Sequence, residues 1–429
     1  MTAAEERRGH LGKILRVASG NFLEQYDFFI YGYYATYIAQ VFFPSGDETT
    51  SLMLSLATFG VGFLMRPLGA IILGSYIDRV GRRQGLIVTL GIMAIGTLTI
   101  ALTPGYSAIG IAAPLIVVAG RLLQGFSAGA ELGGVSIYLA EIAKPGRRGF
   151  YTSWQSASQQ VAVMAAALVG LSLGATLTPD QMHQWGWRVP LLLGCAIVPV
   201  ILWLRRSLDE TEAYKHIHHK AHSLLGSLAQ LGGSWRPILA GMAISVLTTT
   251  TFYMITAYTP TFGKQALGLD AQDVLVVTML VGASNFIWLP VGGALSDWIG
   301  RTPVLLSVPL VVLVAAYPLI AWLVGAPSFF AFATALLALS VCFGLYNGAM
   351  IARLTELMPP AARTLGFSLA FSLATSLFGG FTPLVSTYLI SATGNKAAPA
   401  LWLCFAAMIS LIGVLASRRM GADPDRSMA

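Results

Sequence analysis

Several ionisable side chains stand in stretches otherwise fit for hydrocarbon. The run Asn21-Phe-Leu-Glu24-Gln25-Tyr26-Asp27-Phe-Phe-Ile-Tyr31 carries two carboxyl groups, and Gly120-Arg121-Leu-Leu-Gln124-Gly125-Phe-Ser-Ala-Gly129-Ala-Glu131-Leu-Gly133 carries an arginine and a further acid. At about 100° per helical residue, Asn21, Glu24, Asp27 and Tyr31 share one face of a first helix. Arg121, Gln124 and Glu131 line one stripe of another. An ionisable group at the bilayer centre costs at least ~2.5–3.5 kcal/mol, so it is kept for function or to satisfy another buried charge. The chemistry on offer is an exchange of partners. A carboxylate holds Arg121 until an anionic substrate displaces it, and the released acid, unpaired in a dry site, takes up a proton. Asp27, with Glu24 or Glu131, is the expected proton carrier. A static buried salt bridge that only fixes packing is the plainer alternative.

Neutral polar groups thread the same segments. Gln25, Tyr26, Gln124, Gln155, Gln159, Asn285 and Asn347, with Asn21, are expected to orient a substrate, because an amide in an apolar helix needs several partners. The run Thr248–Thr251 and the series Ser368, Ser372, Ser376 are expected to make ordinary helix–helix hydrogen bonds. Arg66, in Arg66-Pro67-x-Gly69, reads as a packing contact near the cytoplasmic side, Arg353 can snorkel to an interface, and Lys264 can steer anions inward. The histidines 216, 218, 219 and 222 lack a carboxylate or cysteine constellation, so a solvated loop is expected and no metal or other cofactor. No nucleophile–base pair and no Gly-x4-Gly-Lys-[Ser/Thr] loop is present, which argues against an enzyme and against ATP as the driving force.

The elements that position these groups follow from composition. Of 429 residues, 55% are hydrophobic and only 10% charged, against roughly 25% charged in soluble domains. Mean hydropathy is +0.70. A polytopic membrane protein fits; a soluble enzyme, a disordered chain and a disulfide scaffold do not. Lipid permits an open chain to cross only as helix. Twelve runs of spanning length, from 14–43 to 397–417, predict an all-α fold of 12 transmembrane helices. The longest polar stretch, 207–235, divides it into six-helix bundles at 1–206 and 236–429. Twenty of the 26 Lys and Arg residues fall on one side, which places both termini in the cytoplasm. That spread along a membrane face explains the net charge of +7 without nucleic acid.

The halves repeat. Gly74-x3-Asp78-Arg79-x-Gly81-Arg82-Arg83 returns as Gly293-x3-Asp297-x2-Gly300-Arg301 after 219 residues, and Glu141-x3-Pro145-x2-Arg148 as Glu356-x3-Pro360-x2-Arg363 after 215. Gly74 is expected to allow close helix approach and Asp78 to sit against a helix N-terminus. The arginines are expected to pair with Glu141, and the repeat adds Asp297, Arg301, Glu356 and Arg363 to the same set. Such contacts form a latch that breaks when one half rocks against the other.

The Gly-x3-Asp-Arg-x-Gly-Arg-Arg loop resembles the signature of the major facilitator superfamily. Asn21-Phe-Leu-Glu-Gln-Tyr-Asp27, Arg66-Pro-Leu-Gly, Gly120-Arg-Leu-Leu-Gln-Gly-Phe-Ser-Ala-Gly-Ala-Glu131 and Thr152-Ser-Trp-Gln-Ser-Ala-Ser-Gln-Gln160 look like its metabolite–proton symporters, in particular the citrate- and tricarballylate-importing members, over 11–418. The resemblance implies proton-coupled uptake of a tricarboxylate through a bacterial inner membrane. Physics agrees: each negative charge moved inward against 100 mV costs ~2.3 kcal/mol, so a trianion costs ~7 kcal/mol unless cations travel with it. A dicarboxylate such as 2-oxoglutarate, sodium coupling and a non-transporting receptor are the alternatives. The expected partners are the organic acid, protons and lipid, with the chain a monomer.

Overall fold

The structure, a computed structural model, describes residues 22, 24–80, 82–129, 131–206, 234–359, 363–418 and 420; the side chains of 78, 79, 82, 83, 86, 131, 132 and 200–206 lie outside that description. Helix makes up 87% and no strand occurs among the described residues. The long helices are α1 (24–42, with a turn at 34), α2 (Glu48–Leu64 continuing as Arg66–Val80), α3 (Arg82–Leu102) and α4 (Ala112–Ala128 and Glu131–Glu141). They continue with α5 (Arg148–Thr176), α6 (Val189–Arg206), α7 (Trp235–Ile255) and α8 (Ala271–Ile299). The last are α9 (Arg301–Gly325), α10 (Phe329–Leu357), α11 (Arg363–Thr393) and α12 (Pro399–Arg418). Among the described residues nine of these, α2, α4, α5 and α7 to α12, are long and apolar enough to cross a membrane, while α3 and α6 hold the shorter apolar stretches Ile87–Leu102 and Gly186–Pro199.

Local chemistry closes these helices on themselves. Hydroxyls donate back one turn, as from Thr278 to Val274 O at 2.8 Å and Ser245 to Gly241 O at 2.8 Å, so polar side chains are satisfied without leaving the apolar cylinder. Asp47 and Asp270 cap the N-termini of α2 and α8 by accepting from backbone amides. Both caps lie on one face of the molecule, called here the far face. The opposite, linker face is where α6 ends and α7 begins.

Two glycine seams set the depth of the interior. A Cβ at Gly125 or Gly129 of α4 would overlap the Gly62 or Arg66 carbonyl of α2, and one at Gly69 would overlap the Phe126 carbonyl, so α2 and α4 cross backbone to backbone. Arg66 is held in the middle of that crossing. On the linker face, Gly149 of α5 and Gly293 of α8 meet in the same way. The sequence points to Gly74 as the close-approach position, but nothing lies within 4 Å of a Cβ there; the crossing on this face is built on its repeat mate Gly293. Gly300 follows at φ +91°, a conformation that favours glycine, and turns the chain into α9.

Candidate functional site

A small cavity lies between the helices of the first and second halves. Gln25 of α1, Arg66 of α2 and Ser156 and Gln159 of α5 form one wall; Thr248, Thr249, Phe252 and Tyr253 of α7, Phe343 and Asn347 of α10, and Phe371 and Thr375 of α11 form the other. Contacts between the halves close above and below it. Toward the far face, Tyr253 meets Phe63 and Phe59 edge-on at 5.1 and 6.1 Å between ring centroids, and Phe252 meets Phe29 at 5.6 Å. Ser376 of α11 donates to the Phe63 carbonyl.

Arg66 is the cation in the cavity wall. Its guanidinium Nη2 donates to Glu24 Oε1 at 3.1 Å, and its charge centre stands 4.6 Å from the ring centroids of both Phe28 and Phe63. Ion pair and aromatic rings together take the place of water for a charge that is 2% exposed. Sequence reasoning weighed Arg66 as a packing contact near a helix end. The structure brings it to the cavity because α2 continues through the signature loop to Val80, which sinks Arg66 about 20 Å below that end.

Arg121 occupies a different place. It is fully buried among Phe28, Tyr31 and Phe59, at 4.6, 4.5 and 5.1 Å from their centroids, and does not line the cavity. Its Nη1 donates to Gln124 Oε1 at 2.7 Å, Gln124 Nε2 donates to Thr97 Oγ1 at 2.8 Å, and Thr97 donates to Asp27 Oδ2. Arg121 and Asp27 are thus joined through an amide and a hydroxyl rather than by direct contact. Asp27 points toward α3 and α6, where a Cβ on Gly194 would come within 2.5 Å of Oδ1; only a residue without a side chain leaves room for the carboxylate.

Of the other residues singled out from the sequence, Gln25, Gln159 and Asn347 line the cavity. Gln25 Oε1 and Asn347 Oδ1 find no hydrogen-bond donor among the described residues. Asn285 lies beside the cavity, donating to Gln160 Oε1 across the halves at 3.0 Å and accepting from Ser340 at 2.6 Å. Gln155 accepts from Ser156 at 2.8 Å, and Tyr26 turns away to the Pro190 carbonyl at 3.2 Å. Asn21 and the side chain of Glu131 lie outside the described residues. Sequence reasoning missed Tyr253 and the cavity role of Thr248. Among the described residues the hydroxyls of Thr248, Thr250 and Thr251 have no partner, so the helix–helix bonds expected of them are not seen there. Four threonines in succession, more than packing needs, were the available signal.

On the linker face, Asp297 accepts from the amides of Gly149 and Phe150 at 2.8 Å each, capping α5 from the other half. Arg301 pairs with Asp297 at 2.7 Å and reaches Glu356 at 3.6 Å. Glu141 is exposed, the Arg363 Nε has no partner among the described residues, and the side chains of Asp78, Arg79 and Arg82 lie outside them.

Residues 17–383 match the family model of the Major Facilitator Superfamily. The chain is 59% identical to the citrate-proton symporter of Salmonella typhi over 410 residues, covering 96% of this chain and 94% of that protein. It is 59% identical to the citrate-proton symporter of Klebsiella pneumoniae over 403 residues, with 94% and 90% covered. The alpha-ketoglutarate permease of Escherichia coli is 32% identical over 425 residues, 98% of this chain and 96% of the permease. In three dimensions the chain superposes on the xylose transporter XylE from E. coli with a TM-score of 0.75 at 17% identity, over 96% of this chain and 98% of that one.

Proposed function

The chain belongs to the major facilitator superfamily, and we propose that it imports citrate together with protons across a bacterial inner membrane by alternating access. The identity to citrate-proton symporters over nearly the whole chain carries this reading. The relative named for alpha-ketoglutarate stands much further away at 32%. In this proposal the helices form two bundles of six, split at 207–235, with both termini cytoplasmic and a single chain as the working unit. The linker face is then the cytoplasmic one.

Arg66 receives a substrate carboxylate, while Gln25, Gln159, Asn347 and Tyr253 orient the rest of the molecule. A carboxylate arriving at Arg66 competes with Glu24. Glu24, released in a site too dry for an unpaired charge, takes a proton. The second proton store is Asp27, which senses Arg121 through Gln124 and Thr97. Substrate and protons then cross together, and the charge they cancel offsets the ~2.3 kcal/mol per 100 mV that each negative charge costs. The Asp297 cap on α5 and the Arg301–Glu356 pair hold the cytoplasmic face shut and release when the halves rock.

The test is citrate-driven proton flux in liposomes containing only this protein. Alkalinisation outside the vesicle on adding citrate, absent with 2-oxoglutarate, supports the proposal. Uptake that follows a sodium gradient and ignores the proton gradient would remove it, as would binding without accumulation.

A further inference from the structure

The far face holds a second recess, between α1 and α5 of the first half and, in the second, α8 with the segment 260–264 that leads into it. It lies beyond the aromatic contacts that close the central cavity, and the two share no lining residue. Tyr33, Tyr34 and Tyr37 line one side, Lys264 and Gln272 the other. Lys264 belongs to a π-helical turn, Phe262–Ala266, a local widening that recurs at functional sites. Its ammonium lies 5.6 Å from the centroid of Tyr37, and among the described residues it makes no ion pair and no hydrogen bond.

Two other far-face charges are already committed. Arg188, another far-face cation, donates to the carbonyls of Ala101, Thr103 and Gln184 at 3.1, 3.1 and 3.3 Å. Asp270, the acid nearest to Lys264 in the chain, accepts from the amides of its own helix, Gln272 and Asp273. Asp273 is exposed. Tyr33 supplies an independent sign: it is 8% exposed, and its buried hydroxyl has no partner among the described residues. A buried hydroxyl left unpaired is costly, and a ligand oxygen would relieve that cost.

We propose that this recess is an outer subsite for a di- or tricarboxylate, with the Lys264 ammonium pairing one carboxylate and the Tyr33 hydroxyl donating to it before the molecule reaches Arg66. The identity of the acid rests on the citrate reading; the subsite itself rests on the recess. Because its two sides come from different halves, it exists only while α1 and α5 stand close to α8 and the segment 260–264. A captured anion therefore also favours that arrangement.

The experiment is equilibrium binding of radiolabelled citrate to the full chain in nanodiscs, with initial-rate uptake in liposomes. About two citrates per chain are expected for the wild type, about one each for Arg66→Gln and Lys264→Gln, and none for the double variant. Lys264→Gln is expected to raise KM about tenfold, more than it lowers the maximal rate, because a charge-assisted contact is lost; Tyr33→Phe raises it about threefold, and Lys264→Arg restores binding. Loss of all binding in Arg66→Gln, with Lys264→Gln behaving as wild type, overturns the outer subsite and leaves the central reading intact. A wild-type chain that binds no citrate at either place overturns both.

Discussion

At the level of the central cavity the two halves of the chain are built from different chemistry. The first half holds Glu24, Asp27, Arg66 and Arg121, all at most 2% exposed. The second half meets them with Thr248, Asn347, Thr375 and the rings of Phe252, Tyr253 and Phe343, and holds Asp297, Arg301 and Glu356 at the linker face. The repeat sharpens the contrast. The offset of 219 residues that relates Asp78 to Asp297 relates Arg66 to Asn285. One position of the same six-helix plan is a cation with an acid and two rings around it. The other is an amide that bonds Gln160 across the halves. On the proposed function this contrast is a division of labour: one half binds charge and stores protons, while the other supplies neutral contacts and the latch.

If that division is right, exchanging the charged member of the pair has the larger consequence. Arg66→Gln is expected to lower citrate binding in the central cavity, and uptake, by at least ~100-fold, because it removes the cavity cation and strands Glu24, and breaking a buried pair costs ~3–5 kcal/mol. Arg121→Gln sharpens the point. It should retain measurable citrate binding while losing uptake, since Arg121 is walled off by Phe28, Tyr31 and Phe59. If instead citrate binds normally to the Arg66 variant and not to the Arg121 variant, the roles are reversed and the cavity geometry misleads.

Asp27→Asn tests the proton-storing part of the first half. It should allow citrate counterflow at close to the wild-type rate and abolish accumulation against a gradient, because the substituted amide keeps the hydrogen bond to Thr97 but cannot cycle a proton. Accumulation by this variant, measured under an imposed pH gradient, would leave Glu24 as the only described acid at this level able to couple.

Asn285→Ala addresses the neutral partner and should do less. Removing it leaves Gln160 Oε1 and the Ser340 hydroxyl short of a partner, a cost of ~1–3 kcal/mol for a buried group. Uptake should fall only a few-fold, with KM for citrate little changed. A loss as large as that of Arg66→Gln would mean that the repeat-related positions share one function.

How much of this was readable beforehand depends on what each feature needs. Hydropathy alone required helices, since lipid offers the backbone no other partner, and the recurring Gly-x3-Asp-x2-Gly-Arg motif pointed to Asp297, which caps α5 across the halves. The buried charges were also evident, because each stands out in an apolar run. Their partners were not. Glu24 and Asp27 fall near one another on a helical wheel, yet one turns to α2 and the other to α3 and α6, which depends on how neighbouring helices are arranged around α1. Thr97, the hydroxyl that joins Asp27 to Gln124, looks like any membrane threonine until α3 is placed against α4. Arg66 seemed near a loop because the loop's signature residues are themselves helical.

Where the halves are alike, their variants should behave alike, and the effect is the smallest. Asp47 and Asp270 cap the second helix of each half on the far face, accepting from Thr50 N at 2.8 Å and from Gln272 N at 2.8 Å. Asp47 also accepts from the Thr50 hydroxyl at 2.6 Å, and these bonds from Thr50 hold its carboxyl below the usual carboxylate range. A group with a depressed folded-state pKa adds stability above its unfolded pKa and loses it as pH falls through the folded one. Asp47→Ala and Asp270→Ala should therefore each cause a similar, slight drop in melting temperature at neutral pH with uptake retained. For Asp47 the difference from wild type should vanish only in strong acid, below the range in which a carboxylate normally titrates. A melting difference for Asp47→Ala that disappears already near neutrality would mean that the cap is not what the carboxylate contributes.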